Sequence, residues 1–184
     1  RFRPSWMADA ILGNAWRAPL PPSVLVVSRG RWPTARCFAN HADVLATIKA
    51  CVQRAPSAAL RGLNVSEWEP QPARSDRGGP PILYDIAMYR AASLIVMPHG
   101  AGSANIIFAR PGTPVIEVCY DNDNTRDPHL PKNVTNVTFP KQFICPDMYA
   151  LLALNLGLPF FHITGAGTWS SPLLVDLVQL RNAT

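Results

Sequence analysis

An α/β fold, with a parallel sheet covered by helices on both faces, is what this chain predicts, and three observations carry it. Short, continuously apolar, β-branched runs such as Val24-Leu25-Val26-Val27 and Leu94-Ile95-Val96-Met97 have the pattern of strands buried on both sides. Segments with apolar residues at helical spacing alternate with those runs, which is the order a parallel sheet requires. The length of 184 residues suits one well-packed domain. Only 16% of the residues are charged and 19 are proline, which excludes collagen, a coiled coil and a charge-driven disordered chain. No apolar run reaches the ~18 residues of a membrane span, and no signal peptide heads the chain. The first residue is Arg1, so the chain reads as a processed product or a piece of something longer.

Residues 1–22 end in Pro19-Leu20-Pro21-Pro22 and read as a lead-in or interdomain linker, which leaves 23–184 as the folded domain. After the first strand and a polar loop, Asn40 is placed to cap a helix carrying Val44, Leu45, Ile48, Cys51 and Val52 on one face. A second strand is expected over Leu63–Trp68, followed by a loop rich in Pro, Gly, Arg and Ser. Pro80-Pro81 opens a helix where proline is tolerated, with Ile82, Leu83, Ile86, Ala87 and Tyr89 along a stripe. The strand Leu94–Met97 runs into Pro98-His99-Gly100-Ala101-Gly102, after which Ser103 can cap a short helix through Phe108. Arg110-Pro111-Gly112 breaks that helix, and Pro114–Cys119 is the next strand. Asp147 caps a leucine-rich helix closed by Gly157, Pro159–Ile163 is a last strand, and Pro172 opens a final helix with Leu173, Leu174, Leu177, Val178 and Leu180. Together these segments describe one Rossmann-like domain with right-handed crossovers.

The net charge of +5 arises from 17 basic and 12 acidic residues and favours anionic partners. The arginines are scattered, the densest group being Arg29, Arg31 and Arg36, and aromatic residues do not interleave with them as a base-stacking surface requires. Nucleic acid is therefore not the expected partner. Cys37, Cys51, Cys119 and Cys145 form no CxxC pair, and their three possible pairings are open. Asn-x-Ser/Thr sequons begin at Asn64, Asn133, Asn136 and Asn182, where roughly one would arise by chance. Their number suggests a secretory-pathway lumen.

Ligands of open α/β sheets bind beyond the carboxyl ends of the strands, and the loop Pro98–Ser103 stands at such an end. Gly100 and Gly102 let the backbone approach a ligand, and the helix N-terminus that follows offers unpaired N–H groups to a phosphate. His99 adds a further donor. The alternative is a tight strand-to-helix turn with no ligand, and glycine spacing alone does not separate the two.

The longer string from Ala92 to Glu117 is more specific. Its apolar strand, Pro98-His99-Gly100-Ala101-Gly102 loop, Asn105 and Phe108, Pro111-Gly112 turn and closing Glu117 resemble the core motif of glycosyltransferase family 61. That family includes plant xylosyl- and arabinosyltransferases and animal O-linked N-acetylglucosaminyltransferases of the secretory pathway. The resemblance extends over about 23–163, taking in Ser28-Arg29, the segment Arg36–Asn40 and the helix ending Leu156-Gly157-Leu158. Asp85 stands where family members usually carry glutamine.

The resemblance implies the C-terminal, donor-binding half of a GT-B architecture. The reaction implied is attack by a hydroxyl of a glycan or protein on a UDP-sugar, with inversion. The donor site would comprise Ser28, Arg29, Arg36, His99, Gly100, Ala101, Gly102, Ser103, Asn105 and Glu117, with His99 and Arg29 carrying catalysis. Arg29 and Arg36 would neutralise the departing diphosphate, and Glu117, at a strand's carboxyl end, would accept from the ribose hydroxyls. As residues alone, these read as surface charges and a strand-end acid. No tightly bound cofactor or metal is expected, since Asp121-Asn122-Asp123 reads as a solvated turn and not as a D-x-D metal motif. The acceptor base would lie in a preceding N-terminal domain, and the full-length protein would be anchored in the Golgi or endoplasmic reticulum. A non-catalytic nucleotide-sugar-binding scaffold or pseudoenzyme fragment is the competing reading. A hydrolase needs a G-x-S-x-G elbow, which the chain lacks.

Overall fold

A computed structural model describes residues 20–28, 37–68, 81–121, 148–167 and 172–184. In chain order the elements are β1 (Ser23–Val27), α1 (His41–Arg54), β2 (Asn64–Trp68), α2 (Pro81–Ala91), β3 (Ala92–Pro98), a 3-10 helix (Ala101–Phe108), β4 (Val115–Asp121), α3 (Met148–Leu156), β5 (Phe160–Ala166), β6 (Leu174–Val175) and α4 (Leu177–Ala183). The strands form one sheet in the order β2-β1-β3-β4-β5-β6. The first five are parallel and β6 runs antiparallel to β5. The expected Rossmann-like α/β class is therefore present, with one antiparallel edge added.

Alternation along the strands divides the core in two. Val24, Val26, Leu94, Val96, Ile116 and Val118 meet Val44, Ile48 and Val52 of α1 and Leu180 of α4. Leu25, Val27, Ile95, Met97 and Val115 meet Met88 and Tyr89 of α2, Ile106 of the 3-10 helix and Ala153 of α3. Both faces are covered, which is why the strand sequences are apolar throughout and not alternating. The strand order changes direction between β1 and β3: β2 lies outside β1, while β4 and β5 continue beyond β3. A crevice opens at the carboxyl ends of strands at such a reversal.

Several expectations are corrected. Pro172 does not open the last helix. Leu173 forms a parallel bridge with Phe38, Leu174–Val175 forms β6, and α4 begins at Leu177 behind an Asp176 cap whose Oδ1 accepts from the Val178 and Gln179 amides. A leucine-rich stretch fits a helix by spacing, but here its backbone pairs with the sheet and with the segment before α1. Ile82 is 50% exposed, and Met88, absent from the expected stripe of α2, is buried in its place. The third strand segment extends to Pro98 and the fourth to Asp121, so Asp121 ends a strand; Asn122 and Asp123 lie outside the described residues, as does Asp147. Gly157 does close α3: it has φ 71° and Leu158 donates to the Ala153 carbonyl at 2.9 Å, the six-to-one bond of a Schellman ending.

Asn40 occupies the N-cap position of α1, yet its side chain makes no capping bond. Instead, its Nδ2 donates to the Val175 carbonyl at 3.1 Å and its Oδ1 accepts from the Val175 amide at 3.0 Å. A primary amide imitates a neighbouring strand and satisfies both backbone groups of Val175. Asn40→Ala removes this pair and is expected to lower stability by roughly 1–3 kcal/mol, because partly buried backbone groups lose their partner. Urea unfolding measures it; an unchanged midpoint would show the clamp to be energetically idle.

Candidate functional site: the β3 loop and its buried carboxylate

The reversal of strand order places two chain segments together. Val26 pairs with Val96, so Ser28, two residues on, stands at the level of Pro98. Ser28 is 2% exposed and its amide donates to the Trp68 carbonyl at 2.7 Å, extending the β1–β2 ladder by one bond. Beside it, the His99 amide donates to the Val118 carbonyl at 2.9 Å, and the chain then turns at Gly100 into the 3-10 helix. Gly100 has φ 157° and ψ −179°, a backbone state restricted almost entirely to glycine.

The helix begins three residues earlier than expected, at Ala101, with Gly100 and not Ser103 at the N-cap. Ser103 is inside the first turn and 1% exposed; its amide donates to the Gly100 carbonyl and its hydroxyl to the Pro98 carbonyl at 3.4 Å. Its hydroxyl therefore braces the loop, and does not cap the helix. Ala101 is exposed, while Gly102 and Asn105 are half-buried. Tyr89, fully buried in α2 and edge-on to Trp68, donates its hydroxyl to the Gly102 carbonyl at 3.4 Å. The helix that precedes β3 thus holds the loop that follows it. At the other end of the 3-10 helix, Thr113 donates to the Arg110 carbonyl at 3.0 Å across Pro111 and Gly112, a type II turn with φ 83° at Gly112.

Glu117 is not at a strand's carboxyl end. It is the third residue of β4, 0% exposed, beside Met97 on one side and His162 on the other. Its Oε1 lies 3.0 Å from His99 Nδ1 and its Oε2 3.1 Å from His162 Nε2. Burial alone pushes this carboxyl up. The hydrogen bonds from His162 and His99, together with the charge on those rings, outweigh it and hold the group below its ordinary range. Glu117 is therefore a carboxylate at neutral pH, with both oxygens engaged from within the protein. Tyr120 and Tyr149 enclose His99, their ring centroids 6.1 and 5.4 Å from its own.

Glu117, Cys119 and His162 bring potential ligand atoms within 4.8 Å of one another. The residues do not fit a metal: Cys119 is disulfide-bonded, so its sulfur is not a thiolate. Cys37 and Cys51 are free. Asp85 accepts from Trp68 Nε1 at 2.6 Å; burial pushes its carboxyl up and the Trp68 bond partly offsets this.

Of the residues expected at the site, Ser28, His99, Gly100, Ala101, Gly102 and Ser103 come together around the carboxyl ends of β1 and β3, with Asn105 in the helix behind the loop. Glu117 lies beneath His99, away from that rim. Arg29 and Arg36, with Arg31, lie outside the described residues. His162 and Tyr89 were not foreseen at the site. Tyr89 carried only a helical-spacing signal, and His162 carried none, because its place beside Glu117 depends on the register of β5 against β4.

The sheet order and the helices on both faces define a doubly wound α/β domain whose strand order reverses between β1 and β3, beside the braced glycine loop. The family model for glycosyltransferase 61 matches residues 5–116, more than half of the chain, and the chain belongs to that family. The match begins within the segment expected to be a lead-in. No curated protein matches the chain at a significant level.

Proposed function

We infer that this chain is the donor-binding part of an inverting glycosyltransferase that transfers a sugar from a UDP-sugar to a hydroxyl of a glycan or protein. The observation that supports it best is the braced Pro98–Ser103 loop at the β1–β3 reversal, backed by His99 on a buried carboxylate. Backbone N–H groups at the start of the 3-10 helix and the His99 ring would receive the diphosphate, and Arg29, with Arg36, would neutralise it as it leaves. Ribose recognition by Glu117 is set aside, since both its oxygens are already engaged. No metal or tightly bound cofactor enters this reading, and the acceptor base would come from a preceding domain of a GT-B arrangement. A lumenal location in the Golgi or endoplasmic reticulum accords with the disulfide at Cys119 and with exposed sequon asparagines at Asn64 and Asn182.

Saturating UDP is expected to raise the melting temperature of the chain by several degrees, since ligand at about 100 times its Kd adds about 2.7 kcal/mol. His99→Ala should reduce that shift by at least half. No shift with UDP, or a full shift in the variant, would sink this assignment. UDP binding without sugar transfer by the full-length protein would favour the scaffold reading instead.

A further inference from the structure

The two edges of the sheet are finished differently. At one edge β6 is two residues long, and the Asn40 side chain engages both backbone groups of Val175. Beside it, the Thr164 amide of β5 is taken by Gln179 Oε1 at 3.1 Å. At the other edge, β2 pairs with β1 alone among the described residues. The Trp68 carbonyl accepts from the Ser28 amide and therefore faces β1. Backbone groups alternate in direction along a strand, which turns the amides and carbonyls of Val65 and Glu67 outward. An open row of this kind is a template for pairing with a second chain. Glu67 is the only charged residue of β2, and its carboxylate is already engaged by His41 Nε2 at 2.8 Å.

Asn64 is the first residue of this edge strand, is exposed, and begins the sequon Asn64-Val65-Ser66. A hollow of about 440 Å³ opens beside it, bounded also by Lys49, Gln53 and Leu63, and gives a bulky substituent room. The Asn182 sequon differs, being wound into α4 with its Thr184 hydroxyl donating to the Leu180 carbonyl at 2.6 Å. Asn133 and Asn136 lie outside the described residues. We propose that Asn64 carries an N-linked glycan, which screens the open β2 edge from pairing with a second copy of this chain. The proposal rests on the lumenal location inferred above, where a membrane oligosaccharyltransferase supplies the sugar from a polyprenyl diphosphate-linked oligosaccharide. Asn64 Nδ2 bonds to the anomeric carbon and loses one proton. The bond from that carbon to the diphosphate breaks, and the lipid diphosphate leaves with its electron pair. A hydrated glycan next to Val65 excludes an incoming strand by bulk, while the β1–β2 ladder stays intact.

Secretion of the chain from eukaryotic cells behind a cleavable signal tests the acceptor. Peptide-N-glycosidase treatment in heavy-oxygen water marks each formerly glycosylated asparagine as a heavy aspartate, read by mass spectrometry. Asn64 should be marked in the wild type and in Ser66→Thr, and the mark should be lost in Ser66→Ala. The triple variant Asn133→Gln, Asn136→Gln, Asn182→Gln keeps Asn64 as its sole sequon. Made with a high-mannose glycan and then trimmed to one sugar by endoglycosidase H, this folded protein should shift in sedimentation towards dimers and larger species. The trimming needs no refolding, so a folding defect cannot imitate the result. Asn64 unmarked in the secreted chain would overturn the proposal and leave the lumenal reading standing. Sedimentation unchanged by trimming would overturn the screening role. A natural full-length protein with no glycan at any sequon would overturn the lumenal reading, and this proposal with it.

Discussion

Glu117→Ala is expected to destabilise the domain by about 2–4 kcal/mol, the range for removing one partner from a buried polar network. The carboxylate is wholly buried, and its loss leaves the Nδ1–H of His99, itself 3% exposed, facing a new cavity. For a chain of this length that corresponds to a fall in melting temperature of roughly 5–15 °C. The wild type should also lose stability in acid, with a sign fixed by the folded carboxyl lying below its ordinary 4.5. Above that value the carboxylate's contribution is fully present, because the folded chain then holds no more protons than the unfolded one. As pH falls below it the unfolded chain gains protons first, and the contribution fades until the folded carboxyl titrates too. Thermal unfolding of both proteins from pH 7 to pH 3 checks this: the gap between them should narrow in acid. A constant gap would mean that cavity formation, and not the ionised network, sets the loss.

Tyr89→Ala should cost about 3–5 kcal/mol, the range for deleting a buried aromatic ring. Its ring is fully buried among α2, the 3-10 helix and the edge-on Trp68, and this packing outweighs its one hydroxyl. Tyr89→Phe separates the two contributions. It keeps the ring and removes the hydroxyl that donates to the Gly102 carbonyl, so its cost should be about 0.5–1.5 kcal/mol. Denaturant midpoints for the pair decide the matter. Near-equal losses would place the energy in the loop tether and not in packing.

What was legible in the sequence followed from local chemistry. The continuous apolar runs at Val24–Val27 and Leu94–Met97 gave two interior strands, β1 and β3, because a strand covered on both faces leaves no polar alternation to blur its limits. Gly157 and Pro111-Gly112 marked endings, because φ values of 71° and 83° select glycine whatever surrounds them. Residues that depend on distant partners were misread. Asn40 has the composition of a cap, but its amide is taken by β6, 135 residues away. Leu173 and Leu174 fit a helical stripe until the segment at Phe38 and Ala166 of β5, respectively, offer them backbone partners. Glu117 ends the family motif as a string, yet β4 continues to Asp121, so a residue that reads as a rim acid is enclosed by strands on either side. Parity along β3 and β4 could have brought His99 and Glu117 to one face; nothing local could have supplied His162.

The pairing of Asn40 with Val175 has a bearing on how the polypeptide is made. The segment ahead of α1 is tied to β6 through Asn40, through the Phe38–Leu173 bridge and through two backbone bonds, Ala39 to the Leu173 carbonyl and Leu173 to the Cys37 carbonyl. On a ribosome, which releases the N-terminal side first, residues 37–54 emerge long before these partners exist. Until Leu173 and Val175 have been synthesised, Val44 and Ile48 lack part of their cover. A nascent chain stalled short of residue 173 should therefore engage chaperones through α1, and residues 173–184 act as the latch that ends its dependence on them.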